Sequence, residues 1–85
     1  MSPAYDLSIE TYGGVRDLSR VVGVLALYEL TPAKLAVRGH GAGLRIEVRL
    51  ETDERASRLC ANRMAALPAV AGVTLQPRRS GAKAP

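Results

Sequence analysis

The sequence predicts an α+β domain whose elements run βαββαβ, and three observations carry that reading. In residues 17–37, DLSRVVGVLALYELTPAKLAV, an apolar helix passes almost directly into a strand. Residues 44–51 alternate strictly, with Leu44, Ile46, Val48 and Leu50 on one face and Arg45, Glu47, Arg49 and Glu51 on the other, a period of two that only a half-buried strand uses. After a second helical stripe, Pro68 and Gly72 punctuate the chain before a last apolar run.

The first strand comes from Tyr5, Leu7 and Ile9 alternating with Asp6, Ser8 and Glu10, and it ends near Thr11. The loop TYGGVR leads into a helix over residues 17–30 that Asp17 either caps or favours through the charge at its positive end. Leu18, Val21, Val22, Leu25 and Tyr28 recur there at helical spacing. Pro32 cannot extend a helix and pushes Thr31 toward extended backbone, so residues 34–38 form the second strand. A glycine-rich turn over 39–43 leads to the third strand, residues 44–51. Thr52 or Asp53 caps a second helix, on which Ala56, Leu59, Cys60, Met64 and Leu67 mark the buried stripe, and Val73 to Gln76 close the chain of elements as a short strand. Two right-handed βαβ crossovers joined through a central hairpin give a four-stranded antiparallel sheet with both helices on one face, the ferredoxin-like plait.

Eighty-five residues make one small domain with little interior to spare, which favours a stability shared with a partner subunit. With no Phe or Trp the core must be aliphatic. The charge of +4 is uneven along the chain: residues 1–77 are nearly neutral, while Arg78, Arg79 and Lys83 sit in QPRRSGAKAP. The domain is therefore expected over residues 1–77, with 78–85 a flexible basic tail. Cys60 is the single cysteine, which excludes an internal disulfide and a multi-cysteine metal site. The start MSPAYDLS lacks a secretory signal, and the apolar stretch 21–28 is far too short to span a bilayer. A cytoplasmic protein with no membrane partner is expected.

A strand, then Leu18-x-x-Val21 on a helix, Gly23 at mid-helix and Leu35 opening the next strand, make an order that resembles the ACT domain, a small regulatory module. The resemblance covers residues 5–77 and is densest in LSRVVGVLALYELTPAKL. It implies a small effector, usually an amino acid, bound at the first loop on a boundary between subunits, and places candidate ligand contacts at Thr11, Gly13, Gly14, Val15, Arg16 and Asp17. Matched without gaps on Leu18, the family's Pro-Gly pair falls on Val15 and Arg16 and its acid or amide on Gly13; with a gap, Gly14 supplies the glycine and Thr11 the polar side chain. Free N–H groups at a helix start suit a carboxylate independently of the resemblance, and the alternative is that the glycines only make a turn. Within the family the chain looks most like the small regulatory subunit of acetolactate synthase, an enzyme of branched-chain amino-acid synthesis, which implies a larger catalytic partner.

Other chemistries find less support. RGHGAG around His40 joins two strands, not a strand and a helix, so it fails as a dinucleotide loop. His40 and Cys60 lie on different elements, which leaves no metal or cofactor site. An RNA-binding plait would need aromatics where Asp6, Ser8, Glu10, Arg45, Glu47 and Arg49 stand, and an acylphosphatase would need more than Arg16 and Asn62. The expectation is a non-catalytic module that pairs with its own copy through the second strand and the first helix. The contacts expected there are Val24, Leu27, Lys34, Leu35, Ala36, Val37 and Arg38.

Overall fold

The computed structural model describes residues 3–78. Strand β1 (Ala4–Thr11), helix α1 (Val15–Leu27), strands β2 (Lys34–His40) and β3 (Gly43–Leu50), helix α2 (Glu54–Ala65) and strand β4 (Val70–Arg78) follow in the expected order. The strands form one antiparallel sheet in the order β2-β3-β1-β4, so the plait is as the sequence predicts.

Alternation sets the layers. Leu7 and Ile9 pair with Val48 and Ile46, and with Leu50 they make the floor of the core. Val21, Val24 and Leu25 of α1 and Cys60, Ala61 and Met64 of α2 close over them. Val24 is thus a core residue, 5 % exposed, and not the outer contact the sequence suggested. A helix turns about 100° per residue, which puts Val24 in one stripe with Leu18, Val21, Leu25 and Tyr28 and leaves Val22 outside it, 39 % exposed. On α2 the same geometry brings Ser57 and Ala61 into the stripe and turns Leu59 outward.

Several boundaries move for local reasons. Of the two candidate caps of α2, Asp53 is the cap, its carboxylate accepting from Ala56 N–H at 2.8 Å. The β2–β3 turn is only Gly41–Ala42, because His40 already pairs with Gly43, and Gly41 at φ +61° supplies the left-handed residue such a two-residue hairpin needs. Strand β4 runs through Arg78, which pairs with Ala4 and bonds Asp6 at 3.2 Å. Arg78 therefore belongs to the sheet and not to the predicted tail; the rest of that tail, 79–85, lies outside the described residues.

Helix α1 ends before Leu30 because its last carbonyls are tied off. Glu29 N–H reaches Ala26 O at 3.0 Å and Leu30 N–H reaches Leu25 O at 2.9 Å, the paired bonds of a Schellman motif, with Leu30 folded onto the core. The residue that turns left-handed there is Glu29, at φ +56°, a position glycine fills without a Cβ penalty. Glu29→Gly is expected to stabilise the domain by about 1 kcal/mol, read as a thermal midpoint higher by about 4–8 °C. A lower midpoint would show that the Glu29 side chain contributes more than its backbone strain costs.

Candidate functional site

The loop between β1 and α1 is built around Thr11. This residue is buried, and its hydroxyl donates to Gly13 O at 2.7 Å while accepting from Leu44 N–H at 3.0 Å. One side chain therefore ties the loop to the start of β3. A register shift opposite Glu10 and Thr11 marks a bulge in the β1–β4 ladder, and Tyr12 N–H continues past it to Ala69 O, a device that redirects a strand as it leaves its sheet.

Gly14, not Asp17, is the N-cap of α1, and its carbonyl accepts from Asp17 N–H at 2.9 Å. Asp17 stands in the first turn and folds its carboxylate back to accept from Gly13 N–H at 2.7 Å. It thereby places a negative charge at the positive end of the helix, which is stabilising. The N–H groups of Val15 and Arg16 have no acceptor among the described residues. Nothing lies within 4 Å of where a Gly14 Cβ would stand, and Tyr12 and Val15 are exposed on either side.

Thr11, Gly13, Gly14, Val15, Arg16 and Asp17 stand in one loop and helix start, and that loop already holds a carboxylate of its own, Asp17. A second carboxylate alone would meet Asp17 at short range. The loop thus presents both signs: N–H donors at Val15 and Arg16 and the carboxylate of Asp17.

The second candidate surface is the β2 edge. All seven residues of β2 are exposed, including Leu35 and Val37, which point to the helix side in line with buried Val48 and Ile46 but have no neighbouring strand beyond them. Leu27 of α1 is exposed as well. The opposite edge, β4, carries Pro77, which has no N–H to offer another strand.

The face away from the helices is polar. Arg45 bonds Glu10 at 2.7 Å, and Arg49 and Arg78 share Asp6 at 3.4 and 3.2 Å. These partly exposed pairs are each worth at most about 1 kcal/mol. His40 stands 3.8 Å from Glu10 at one end of this face, whereas Cys60 is buried in the core, where burial pushes its thiol pKa up and keeps it protonated. The two are not brought together. Arg16 and Asn62 are both exposed, on different helices, with no hydrogen bond between them. Among the described residues no helix is long and apolar enough to cross a membrane.

Sequence reasoning missed two parts of this geometry. Thr11 as a tie to Leu44 depends on a hydroxyl and a backbone N–H 33 positions apart, which no local pattern reports. Gly43, counted as a turn residue, is a packing residue: a Cβ there would lie 1.8 Å from the Thr11 carbonyl oxygen.

No protein-family model matches the chain, and no curated protein does. Solved structures do. The ACT domain from GTP pyrophosphokinase of Chlorobium tepidum superposes with a TM-score of 0.76 at 6 % identity, over 89 % of this chain and 100 % of that one. An uncharacterized protein of Thermotoga maritima gives 0.74 at 14 % identity, over 93 % of this chain and 100 % of that one. A homoserine dehydrogenase of Thiobacillus denitrificans gives 0.72 at 20 % identity, over 91 % of this chain but only 17 % of that one. The fold is that of an ACT domain.

Proposed function

We propose that this chain is a non-catalytic regulatory module of the ACT type that acts as a homodimer joined along β2. The observation that carries the reading is the asymmetry of the two sheet edges. The edge along β2 leaves Leu35 and Val37 exposed beside it, while on the β4 edge Val73 and Leu75 pack against the core and Pro77 removes a donor near the strand's end. An unprotected edge invites a strand from another chain, and natural sheets blunt the edges they do not use. Pairing β2 with a second β2 continues the sheet to eight strands and covers Leu35 and Val37. Sedimentation at micromolar concentrations is expected to give a dimer, and Val37→Asp, which sets a charge at that seam, a monomer. A wild-type monomer at high micromolar concentration would end this reading.

A finer reading has the module sense an amino acid for a biosynthetic enzyme. The order of elements resembles that of the small regulatory subunit of acetolactate synthase, so a biosynthetic enzyme of that kind is the partner this reading names. What supports sensing here is the two-signed loop: donors at Val15 and Arg16, a carboxylate at Asp17, and open space over Gly14. The neighbouring subunit's β2 would complete the pocket, so that ligand binding biases one subunit arrangement over another. Valine, leucine or isoleucine at millimolar concentration should raise the melting temperature of the wild type and not of Gly14→Val. If none does, assembly without an effector is the better account.

A further inference from the structure

We infer that two copies of the chain pair antiparallel with Val37 on the twofold axis, a register set by Glu47 of each copy meeting Arg38 of the other. The inference rests on the homodimer proposed above and specifies which residues face each other. Any register with a β2 residue on the twofold axis keeps the helices of both copies on one side of the sheet; centring on Arg38 sets that residue against its own copy, and charge and overlap separate the three below it in the strand.

Centring on Ala36 sets Lys34 directly opposite Arg38 of the second copy, a like-charge opposition that disfavours a register. Centring on Leu35 runs Arg38 against Pro32, which cannot donate to a ladder, and leaves His40 unpaired. Centring on Val37 uses the whole of Lys34–His40. Lys34 then faces His40, Ala36 faces Arg38, and Val37 faces its own copy.

That register answers two features the single chain leaves unexplained. Glu47 and Arg38 make no ion pair among the described residues, although Arg45, Arg49 and Arg78 on the same face all do. Glu47 pairs across the ladder with Ala36, whose methyl leaves the row open. With Val37 on the axis, the next residue in that row is Arg38 of the second copy, two strand spacings or about 9.6 Å from Glu47 along the sheet, within the joint reach of the two side chains. The pair occurs twice, once on each side of the axis. Gly39 is the second feature. It is an interior strand residue with open space where its Cβ would stand, and on the helix side this register sets Leu35 of the second copy opposite it. A glycine inside a strand marks such a close approach.

Cysteine cross-linking reads the register directly. Residues directly opposite in an antiparallel pair have Cα atoms about 4.5–5.5 Å apart, within disulfide range, and Cys60 is buried and does not compete. Val37→Cys is expected to form a covalent dimer under mild oxidation, while Ala36→Cys and Leu35→Cys form much less. A charge exchange tests the ion pair. Glu47→Arg and Arg38→Glu should each weaken the dimer about tenfold or more through like-charge contact, and mixing the two variants should restore it as a heterodimer in which both pairs are again opposite in sign. A dimer that cross-links best through Ala36→Cys or Leu35→Cys overturns the register and leaves the homodimer standing. Charge reversals that leave the affinity unchanged overturn the Glu47–Arg38 pair. A wild-type monomer removes the homodimer reading itself.

Discussion

Gly43→Ala is expected to lower the thermal midpoint by about 15–25 °C, corresponding to a loss of about 3–5 kcal/mol. The added Cβ would stand 1.8 Å from the Thr11 carbonyl oxygen, 2.7 Å from its carbon and 3.0 Å from the Tyr12 carbonyl carbon. All three are backbone atoms, so no rotamer change relieves the clash. Either β3 or the end of β1 must move. Moving β3 strains the Leu44 N–H to Thr11 Oγ1 bond, and moving the loop strains Tyr12 N–H to Ala69 O, both 3.0 Å. Overpacking costs about 1–3 kcal/mol and sometimes more, and each disturbed hydrogen bond adds about 1 kcal/mol. A domain of this size has roughly 5–15 kcal/mol in all. Gly23→Ala is the control: that glycine is exposed within α1 with no atom near its missing Cβ, and alanine should add about 1 kcal/mol through helix propensity alone. Equal midpoints for the two variants would show that β3 yields to the added methyl without cost.

The contrast between these glycines shows where the sequence is informative. Element order was legible because it depends on periods of two and of 3.6, and those are local: Leu44 to Leu50 alternate whatever they pack against. Boundaries were less so. Asp17 and Gly14 are both reasonable caps by composition, and the choice depends on where the chain leaves β1, which Thr11 and the bulge in the β1–β4 ladder decide. Val24 and Val22 were exchanged for a similar reason. Both lie on the border of the apolar stripe, and only the docked orientation of α1 selects between them. The candidate loop is legible through its glycines, but the placement of its charge is not. Asp17 could point outward or back to Gly13 with the same sequence, and pointing back sets a negative charge beside the free N–H donors of the helix start. Glu29 gave no signal at all, since a left-handed glutamate is indistinguishable in sequence from a helical one.

Thr11→Val is expected to lower the midpoint by about 5–15 °C and to abolish any ligand response at the loop. Valine keeps the branched shape of the buried side chain, so packing changes little and the loss reports the hydroxyl. Without it, Leu44 N–H and Gly13 O lose their partners at 3.0 and 2.7 Å. A buried group stripped of its partner costs about 1–3 kcal/mol, and both groups here are partly buried. Water that replaces one partner would bring the total toward the lower end of that range. Thr11→Ser, which keeps the hydroxyl, should lie close to wild type. Hydrogen exchange separates the local effect from the global one. The Leu44 amide should exchange faster in Thr11→Val by more than the fall in overall stability accounts for, while amides at the centre of β3, such as Ile46, follow the global change. Should Leu44 exchange no faster than Ile46, the Thr11 hydroxyl does not hold the loop to β3. Its consequence for function follows from the same bonds: Thr11 fixes Gly13, Gly13 N–H fixes the Asp17 carboxylate, and the Asp17 carboxylate is the acidic half of the two-signed loop. Releasing the first link lets the carboxylate swing free, so an amino acid that stabilises the wild type should leave Thr11→Val unchanged even at temperatures where that variant is fully folded.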